Sequence, residues 1–354
     1  MNRIIIIGNG FDLAHGLETG YNHFIFDYLK KAIDSAEKGT AYNDALINIK
    51  FQEKIKSLDG SKFSSRFTEI DEVLETEHIN WGFNKPKYYA ENNSKFSVVV
   101  TYNSNFFKEI LSLKKWSDLE KFYFDYLIKK PEDEAYIKAL NKDFYFLKTK
   151  LSSYLLEINT KISSFARNQL SMLHVIERCC EFEDTIPFEE NFMFLDFNYT
   201  SLLSKYLQHI PFSGTKPEYV QIHGELSNNP DSIIFGYGDD SHPQYSILEN
   251  LDNEELLINM KSFYYPDEHD YKKLIDFVSN ETFDVIVVGH SLGLSDRVLL
   301  KTIFENENCT SIKLFHRGTK ESQKKKRISL SRHCSDKVIM RKKIVPFDTR
   351  DTLG

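Results

Sequence analysis

Long hydrophobic runs are missing from this chain of 354 residues. A membrane-spanning helix needs about 18 or more consecutive apolar residues, and no such uncharged stretch occurs. The apolar run near the amino terminus is followed at once by Asp12, which is unlike a signal peptide. The sequence therefore predicts a cytoplasmic protein with no membrane partner.

Proline and glycine are sparse, at 9 and 15 residues, whereas phenylalanine and tyrosine number 28 and 19. This composition argues against long linkers or disordered tails, and the length suffices for a large buried core. The four cysteines form no C-x-x-C pair, which fits a reducing compartment; they are Cys179, Cys180, Cys309 and Cys334. We expect no bound metal.

Positive charge is concentrated in one segment near the carboxyl terminus. Residues 317–343 hold eleven Lys or Arg against two acidic residues, so they carry +9 while the rest of the chain carries −16, within a total of −7. Such a segment fits nucleic acid, an acidic partner or the phosphates of a nucleotide. A solvated helix face also explains it, since Lys324 to Arg327 has no interleaved aromatics to stack on bases.

The chain opens with a strand, a glycine turn and a carboxylate. Ile4 to Ile7 are four β-branched residues in a row, which suits a strand covered on both faces. Gly8 and Gly10 follow directly, and the N–H groups of such a turn can approach a phosphate or ribose closely. The pattern departs from G-x-G-x-x-G, because Leu13 stands where the third glycine belongs.

Helical spacing of apolar residues follows this opening. Phe24 to Ile33 predicts a helix that begins by about residue 21, and Leu147 to Ile162 continues a helical stripe. We interpret residues 37–185 as a large, mostly helical insertion in a core formed by residues 1–36 and 186–354. Within the insertion, Ser117 and Glu120 have the spacing of a capping box at a helix start.

Short apolar runs that end in polar, glycine-containing turns characterise the second half. The predicted strands cover 192–197, 219–222, 233–235, 285–288 and 312–315, with a helix over 295–305. Alternation of strands and helices is typical of a mostly parallel α/β sheet. Ligands bind at the carboxyl ends of such strands, so Asn198, His223, Gly236 and the run from Gly289 to Ser291 should converge with the opening turn.

These motifs together resemble the AbiH family of bacterial phage abortive-infection proteins. The resemblance is carried, in the family's order, by the runs Gly8–Tyr21, Trp116–Glu120, Phe197–Thr200, Ile222–Gly224 and Gly289–Leu292. Membership would imply an antiviral role in which an infected bacterial cell stops growing or dies before the phage spreads. It does not by itself supply a reaction.

A looser resemblance, to sirtuin-like NAD-binding domains, suggests a Rossmann-like fold and a reaction. It is carried by the glycine turn with Gly16 at the matching offset, and later by Asn198, His223-Gly224 and Gly289-His290-Ser291-Leu292. By position the turn would hold the NAD pyrophosphate, Asn198 the nicotinamide ribose and a water, and His223 would be the general base. The missing paired cysteines argue against removal of acyl groups from lysine.

The catalytic candidates are therefore Asn198 and His223. The nucleotide-binding candidates lie in two strand-end turns and are Gly8, Asn9, Gly10, Phe11, Asp12, His15, Gly289, His290 and Ser291. Asp12 replaces the usual serine near the phosphates, and Thr200 stands where many sirtuin-like effectors have Asp. Plainer explanations exist for the polar candidates: Asn198 fits a turn, and Asn9 or Asp12 fits a helix cap.

The leading hypothesis is an effector that binds an NAD-type nucleotide as its substrate and hydrolyses the glycosidic bond. Positive charge develops on the ribose, and a histidine can take a proton from a hydroxyl or water. The first alternative is a nucleic-acid-directed effector with a divalent metal on Asp12, Asp118 or Glu120. The second is a non-catalytic nucleotide sensor or interaction module. A phage-derived trigger and assembly into a homo-oligomer are further partners to consider.

Overall fold

The computed structural model describes residues 2–39, 41–51, 63–76, 79–81, 98–165, 175–176, 179, 191–208, 216–265 and 269–353. The chain forms two compact units, one made of Met1–Thr19 with Leu155–Gly354 and the other of Gly20–Tyr154. The boundary predicted at 185/186 and Cys180 lie outside the described residues. The predicted domain limits remain a prediction.

The strands, numbered along the chain, are β1 (Asn2–Ile7), β2 (Ala41–Asn43), β3 (Ile47–Phe51), β4 (Ile79–Asn80), β5 (Val98–Tyr102), β6 (Phe192–Asp196), β7 (Glu218–Gln221), β8 (Phe283–Val288) and β9 (Cys309–Leu314). The α-helices are α1 (Gly10–Ala14), α2 (Tyr21–Gly39), α3 (Ile70–Glu75), α4 (Asn105–Ile110), α5 (Trp116–Leu127), α6 (Glu134–Phe165), α7 (Leu202–Leu207), α8 (Tyr245–Glu249), α9 (His269–Asn280), α10 (Arg297–Phe304), α11 (Lys320–Ser331) and α12 (Lys337–Lys343). Short 3-10 turns cover Phe63–Arg66, Pro230–Ser232, Glu254–Leu256, Lys261–Phe263 and Leu294–Asp296.

The first unit contains a five-stranded sheet in the order β7-β6-β1-β8-β9, and every neighbouring pair is parallel. β1 lies in the middle, and Ile7 is level with Asp196 on one side and Val288 on the other. The side chains of β1 are buried on both faces, as its four isoleucines predict. The predicted α/β class with a mostly parallel sheet is confirmed.

The order of the strands reverses at β1. After β1 the chain forms β6 and then β7 on one side of it, and later forms β8 and then β9 on the other side. Crossovers that leave in opposite directions open a crevice at the carboxyl end of the sheet, between β1 and β8. The loops that follow these two strands therefore lie where a parallel sheet offers a binding site.

One predicted strand is wrong. Residues 233–235 form no strand; Ile233 makes a single antiparallel bridge with Gly224, and the Ile234 N–H donates to the carbonyl of His223 at 2.8 Å. These apolar residues are buried, but they pair with the loop after β7 rather than extend the sheet. Gly236 correspondingly packs against Asn259, whose carbonyl oxygen lies 2.0 Å from the place of an added Cβ.

The second unit carries a sheet that the sequence patterns did not predict. β2, β3, β5 and β4 pair in that order, and β3 alternates buried Ile47 and Ile49 with more exposed residues. Helices α2 and α6 confirm the two helical stripes, and α2 begins at Tyr21 as predicted. The capping box at α5 is wrong, because Lys115 occupies the N-cap position and its side chain makes no capping bond.

Candidate functional site

Four loops of the first unit carry the predicted site residues, and each follows a strand of the parallel sheet. They begin after β1, β6, β7 and β8. Asn198 and His223 each lie two residues beyond Asp196 and Gln221, which are paired neighbours on β6 and β7. The Phe197 ring contacts both histidines of the site, with centroids 5.2 Å from His223 and 4.3 Å from His290.

The two glycine turns touch each other through their backbones. Gly10 donates its N–H to the carbonyl of Gly289 at 2.9 Å. A Cβ on Gly8 would lie 2.4 Å from the Cα of His290, and one on Gly289 would lie 2.5 Å from the N of Phe11. The close approach of the loops after β1 and β8 thus requires glycine at these positions whether or not a phosphate binds there.

Asn9 does not act as a capping residue through its side chain, which corrects that explanation of its role. It precedes α1, a helix of five residues, and makes no side-chain capping bond. Its Oδ1 instead accepts a hydrogen bond of 2.5 Å from the hydroxyl of Thr19. This bond closes the opening turn onto the segment that follows α1.

Asp12 is buried in the first turn of α1, where its side chain faces β6 rather than solvent. Thr200 Oγ1 donates to Asp12 Oδ2 at 2.9 Å, whereas Oδ1 has no hydrogen-bond partner among the residues described. Burial raises the pKa of Asp12 to about 7, against smaller opposing effects of the Thr200 and Thr19 hydroxyls. Asp12 can therefore exchange a proton near neutral pH.

A second buried carboxyl, Asp196, ends β6. Its Oδ1 accepts the N–H of Asn198 at 2.9 Å and its Oδ2 accepts the hydroxyl of Tyr219 at 3.2 Å. Burial raises the pKa of Asp196 well above its usual range, and the charge of Asp12 adds to this increase. The carboxyl ends of β1 and β6 thus present two acids that disfavour each other's ionisation.

Asn198 is fixed through its backbone and leaves its amide unused. Its carbonyl accepts a hydrogen bond of 2.8 Å from Nε2 of Gln221. Its side chain is 5 % exposed, and Nδ2 has no partner in the described part of the chain. A buried donor without an acceptor is uncommon in folded proteins and marks a place where a ligand atom could complete the bonding.

His223 lies against a buried carboxylate. Its Nε2 is 3.3 Å from Oδ1 of Asp296, without the alignment of a good hydrogen bond. Burial, followed by the nearby charge of Lys261, lowers the pKa of His223 to about 4. The imidazole is therefore neutral at physiological pH, and Asp296 favours the tautomer that carries its proton on Nε2.

Lys261 neutralises the carboxylate that the histidines face. Its Nζ donates to Asp296 Oδ1 at 2.8 Å, and the lysine is only 1 % exposed. Burial alone would raise the pKa of Asp296, but Lys261 and then the two histidines outweigh it and hold that pKa well below its usual range. Lys261 and Asp296 therefore form a buried ion pair, and both imidazoles approach its carboxylate.

His290 faces the same carboxylate from the loop after β8. Its Nε2 lies 3.5 Å from Oδ2 of Asp296, and its Nδ1 accepts the N–H of Leu292 at 3.0 Å. Burial lowers its pKa, so this ring is also neutral at physiological pH. Leu292 itself has φ 56, a conformation that costs a non-glycine residue free energy and that often occurs near functional sites.

Two candidates stand apart from this group. The ring of His15 packs between Phe11 and Tyr206, with centroids at 4.5 and 5.0 Å, and its Nδ1 lies 2.7 Å from the carbonyl of Phe11. The ring therefore packs among aromatic residues, its Nε2 is buried without a partner among the described residues, and its role in binding stays a prediction. Ser291 is exposed beside the buried His290.

Four residues of the site were not predicted from the sequence or were given no role: Thr200, Asp196, Lys261 and Asp296. Asp196 and Thr200 flank the Phe197-Asn198 run, so their position after β6 was a usable signal. Asp296 lies within the predicted 295–305 helix, where an acidic residue near the start suggests a cap. Lys261 has no sequence signal, because it reaches the site from a short 3-10 turn outside the parallel sheet.

The described residues contain neither a metal-binding cluster nor a membrane-spanning helix. Among them no group of three His, Cys, Asp or Glu side chains is arranged to hold a metal ion. Asp118 and Glu120, offered as metal ligands in one alternative, lie on α5 of the second unit. None of the described helices combines the length and apolar character needed to cross a membrane.

Comparison with known proteins places the chain in a family. No curated protein matches it. A family model described as bacteriophage abortive infection AbiH matches residues 4–317, which include the second unit, most of the first unit and every strand-end motif of the site. The chain belongs to the AbiH family.

Proposed function

We propose that this protein is a phage abortive-infection effector whose strand-end site binds an NAD-type nucleotide as substrate and hydrolyses its glycosidic bond. Two observations carry the proposal: His223 Nε2 lies 3.3 Å from Asp296 Oδ1, and the loop after the neighbouring strand buries Asn198 Nδ2 without a partner among the described residues. Family membership supports the antiviral role. The geometry and charges of the site support the reaction.

The topology supports a dinucleotide as ligand. In chain order the sheet reads third, second, first, fourth and fifth strand, which is the order of the doubly wound dinucleotide-binding fold. In that fold the ligand crosses the crevice where the order reverses, and a glycine turn follows the first strand. Gly8 and Gly10 occupy that position here.

The charges and orphaned atoms support a ribose at the centre of the site. Asp12 Oδ1 is a buried acceptor and Asn198 Nδ2 a buried donor, each without a partner in the residues described. A ribose hydroxyl can donate to the first, and a ribose or carboxamide oxygen can accept from the second. The carboxyl group of Asp12, when ionised, would also stabilise positive charge that develops on the ribose.

His223 supplies the base. Asp296 favours the tautomer with the proton on Nε2, and in that tautomer the lone pair is on Nδ1, which can take a proton from water or a ribose hydroxyl. As the glycosidic C–N bond breaks, water bonds to the ribose carbon, nicotinamide leaves with the bonding electrons, and one proton is released. The pKa of about 4 keeps His223 unprotonated at neutral pH but makes it a weaker base than free imidazole, whereas general-base assistance typically accelerates a reaction about 10²–10⁴-fold.

The test measures nucleotides during phage infection, because the infected cell supplies any trigger. We expect cells with the wild type to lose NAD and accumulate nicotinamide and ADP-ribose by mass spectrometry, and cells with His223→Gln to retain NAD. His316→Gln is the matched control: His316 is also a buried strand-end histidine, but its ring nitrogens contact backbone groups of Gly318 and Asp348. Thermal melts confirm that both variants fold.

Constant NAD in wild-type cells that nevertheless resist the phage would overturn the proposed reaction. Equal NAD loss in His223→Gln and wild type would remove His223 from the mechanism. Loss of protection in the His316→Gln control to the same degree as in His223→Gln would show that both substitutions act through folding.

A further inference from the structure

A strongly basic surface lies outside the candidate site, on the segment 317–343. Nine exposed Lys or Arg side chains define it, here called the basic surface: Arg317, Lys320, Lys324, Lys325, Arg327, Arg332, Lys337, Arg341 and Lys342. They come from the loop after β9, from helices α11 and α12 and, for Arg332, from the link between these two helices. The proposed hydrolysis uses none of them.

Helix α11 has one buried face and one exposed face, and most of its cations lie on the exposed face. On α11, Gln323 and Leu330 are buried, and Lys326 on the same side donates to the carbonyl of His290. Lys320, Lys324 and Arg327 repeat at intervals of four and three, so they share one solvent-exposed stripe. The exposed face of α11 is therefore a row of cations, with a second row through Lys325 and Arg332.

Few acidic groups within the segment neutralise this charge. Glu321 pairs with Lys325 at 3.2 Å, with both side chains about three-quarters exposed, so water weakens this pair. Asp336 is engaged as the N-cap of α12, where it accepts the N–H groups of Val338 and Ile339. The segment therefore keeps most of its net +9.

We propose that the basic surface binds the phosphate backbone of nucleic acid. A stripe of exposed cations along a helix and its neighbours is the arrangement that neutralises successive phosphates. The rest of the chain carries −16, so a polyanion is attracted here and repelled elsewhere. The sequence from Lys320 to Lys342 contains no Phe, Tyr or Trp, and Phe347 lies against Lys320, so we expect most contacts to go to phosphates and binding to be independent of base sequence.

Other anionic partners fit less well. Five of the nine cations are lysines, a residue type depleted from protein–protein interfaces. A helix that lies in a membrane surface directs its apolar face into the lipid, whereas α11 buries Leu330 in the protein core. The large apolar side chains exposed on the two described helices are Ile328 on α11, at 50 %, and Val338 and Ile339 on α12, at 53 and 50 %.

The experiment measures binding of a fluorescent 20-base-pair DNA duplex to the full chain by anisotropy at several salt concentrations. Contact with about six phosphates predicts an affinity that falls roughly 10³-fold between 50 and 200 mM salt. Lys324→Glu with Lys325→Glu removes two of the contacts, so the salt slope should decrease by about 2 and the affinity at least tenfold. A second duplex of unrelated sequence should bind equally.

The matched control is Lys272→Glu with Lys273→Glu, a pair of adjacent exposed lysines on helix α9 of the same unit. It changes the net charge equally and should leave DNA binding close to that of the wild type. Equal loss in both double variants would mean that net charge alone governs binding and would overturn the proposal. Absence of DNA binding by the wild type, or tighter binding to anionic lipid vesicles or polyglutamate than to DNA, would overturn it as well.

Discussion

Thr200 binds Asp12 across 188 positions of sequence, through a hydrogen bond of 2.9 Å from Oγ1 to Oδ2. The bond joins the helix after β1 to the loop after β6. It holds a carboxyl group at the carboxyl edge of the sheet, where burial raises the pKa of Asp12 to about 7. The site therefore contains an acid that is partly protonated under physiological conditions.

Asp12→Asn should stabilise the protein at neutral and higher pH. The folded state holds the Asp12 proton between pH 4 and 7, whereas the unfolded state releases it, so wild-type stability falls as pH rises through that window. A shift of this size corresponds to roughly 4 kcal/mol. Urea unfolding of both proteins at pH 4, 6 and 8 measures it: the advantage of Asp12→Asn should grow with pH. A pH-independent difference would contradict the raised pKa.

Lys261→Met should destabilise the protein strongly. Lys261 is 1 % exposed, and its loss leaves the buried Asp296 carboxylate without its cation. Breaking a buried ion pair in this way costs about 3–5 kcal/mol of unfolding free energy. Adding Asp296→Leu removes the unpaired charge, so the double variant should be more stable than Lys261→Met alone by urea unfolding at pH 7. If the double variant were less stable than Lys261→Met alone, the unpaired Asp296 carboxylate would not be the cause of the destabilisation.

The sheet could be predicted because each strand carries its own signal. Four consecutive isoleucines and the runs ending at Asp196 and Val288 are buried on both faces, so their pattern does not depend on distant residues. Ile233 to Phe235 has the same apolar composition but pairs with the loop after β7. No local sequence pattern distinguishes such a segment from a strand of the sheet. The short strands β2 and β4 are too brief to show a period.

The site could be predicted only in part, because only some of its residues lie next to a strand with a local sequence signal. Gly8, Asn198, His223 and His290 each directly follow or lie next to an apolar strand, so topology alone brings their loops to one edge. Lys261 reaches Asp296 from a short 3-10 turn, and their bond spans 35 positions without a motif. Roles that depend on such long-range pairs, including the state of ionisation of His223, appear only in the folded structure.

Gly289→Ala should cost more stability than Gly16→Ala, although both glycines have similar positive φ, at 71 and 76. An alanine in this conformation costs roughly 1–2 kcal/mol at either position. A Cβ on Gly16 meets no other atom within 4 Å, whereas one on Gly289 would lie 2.5 Å from the N of Phe11. The collision adds about 1–3 kcal/mol, measured by thermal or urea unfolding. Equal costs would mean that the two turns do not pack as described.

Acidification should unfold the protein partly through His223. Its pKa is lowered to about 4 in the folded state. Between pH 6.5 and 4 the histidine is therefore protonated in the unfolded protein and neutral in the folded protein. Stability from this group is complete above pH 6.5 and is lost as the pH falls toward 4, by roughly 3 kcal/mol. Asp12 acts in the opposite direction over an overlapping range, so the comparison belongs in the Asp12→Asn background. There, urea unfolding should show a shallower acid loss for His223→Gln than for the parent, and parallel profiles would mean that His223 titrates normally in the folded protein.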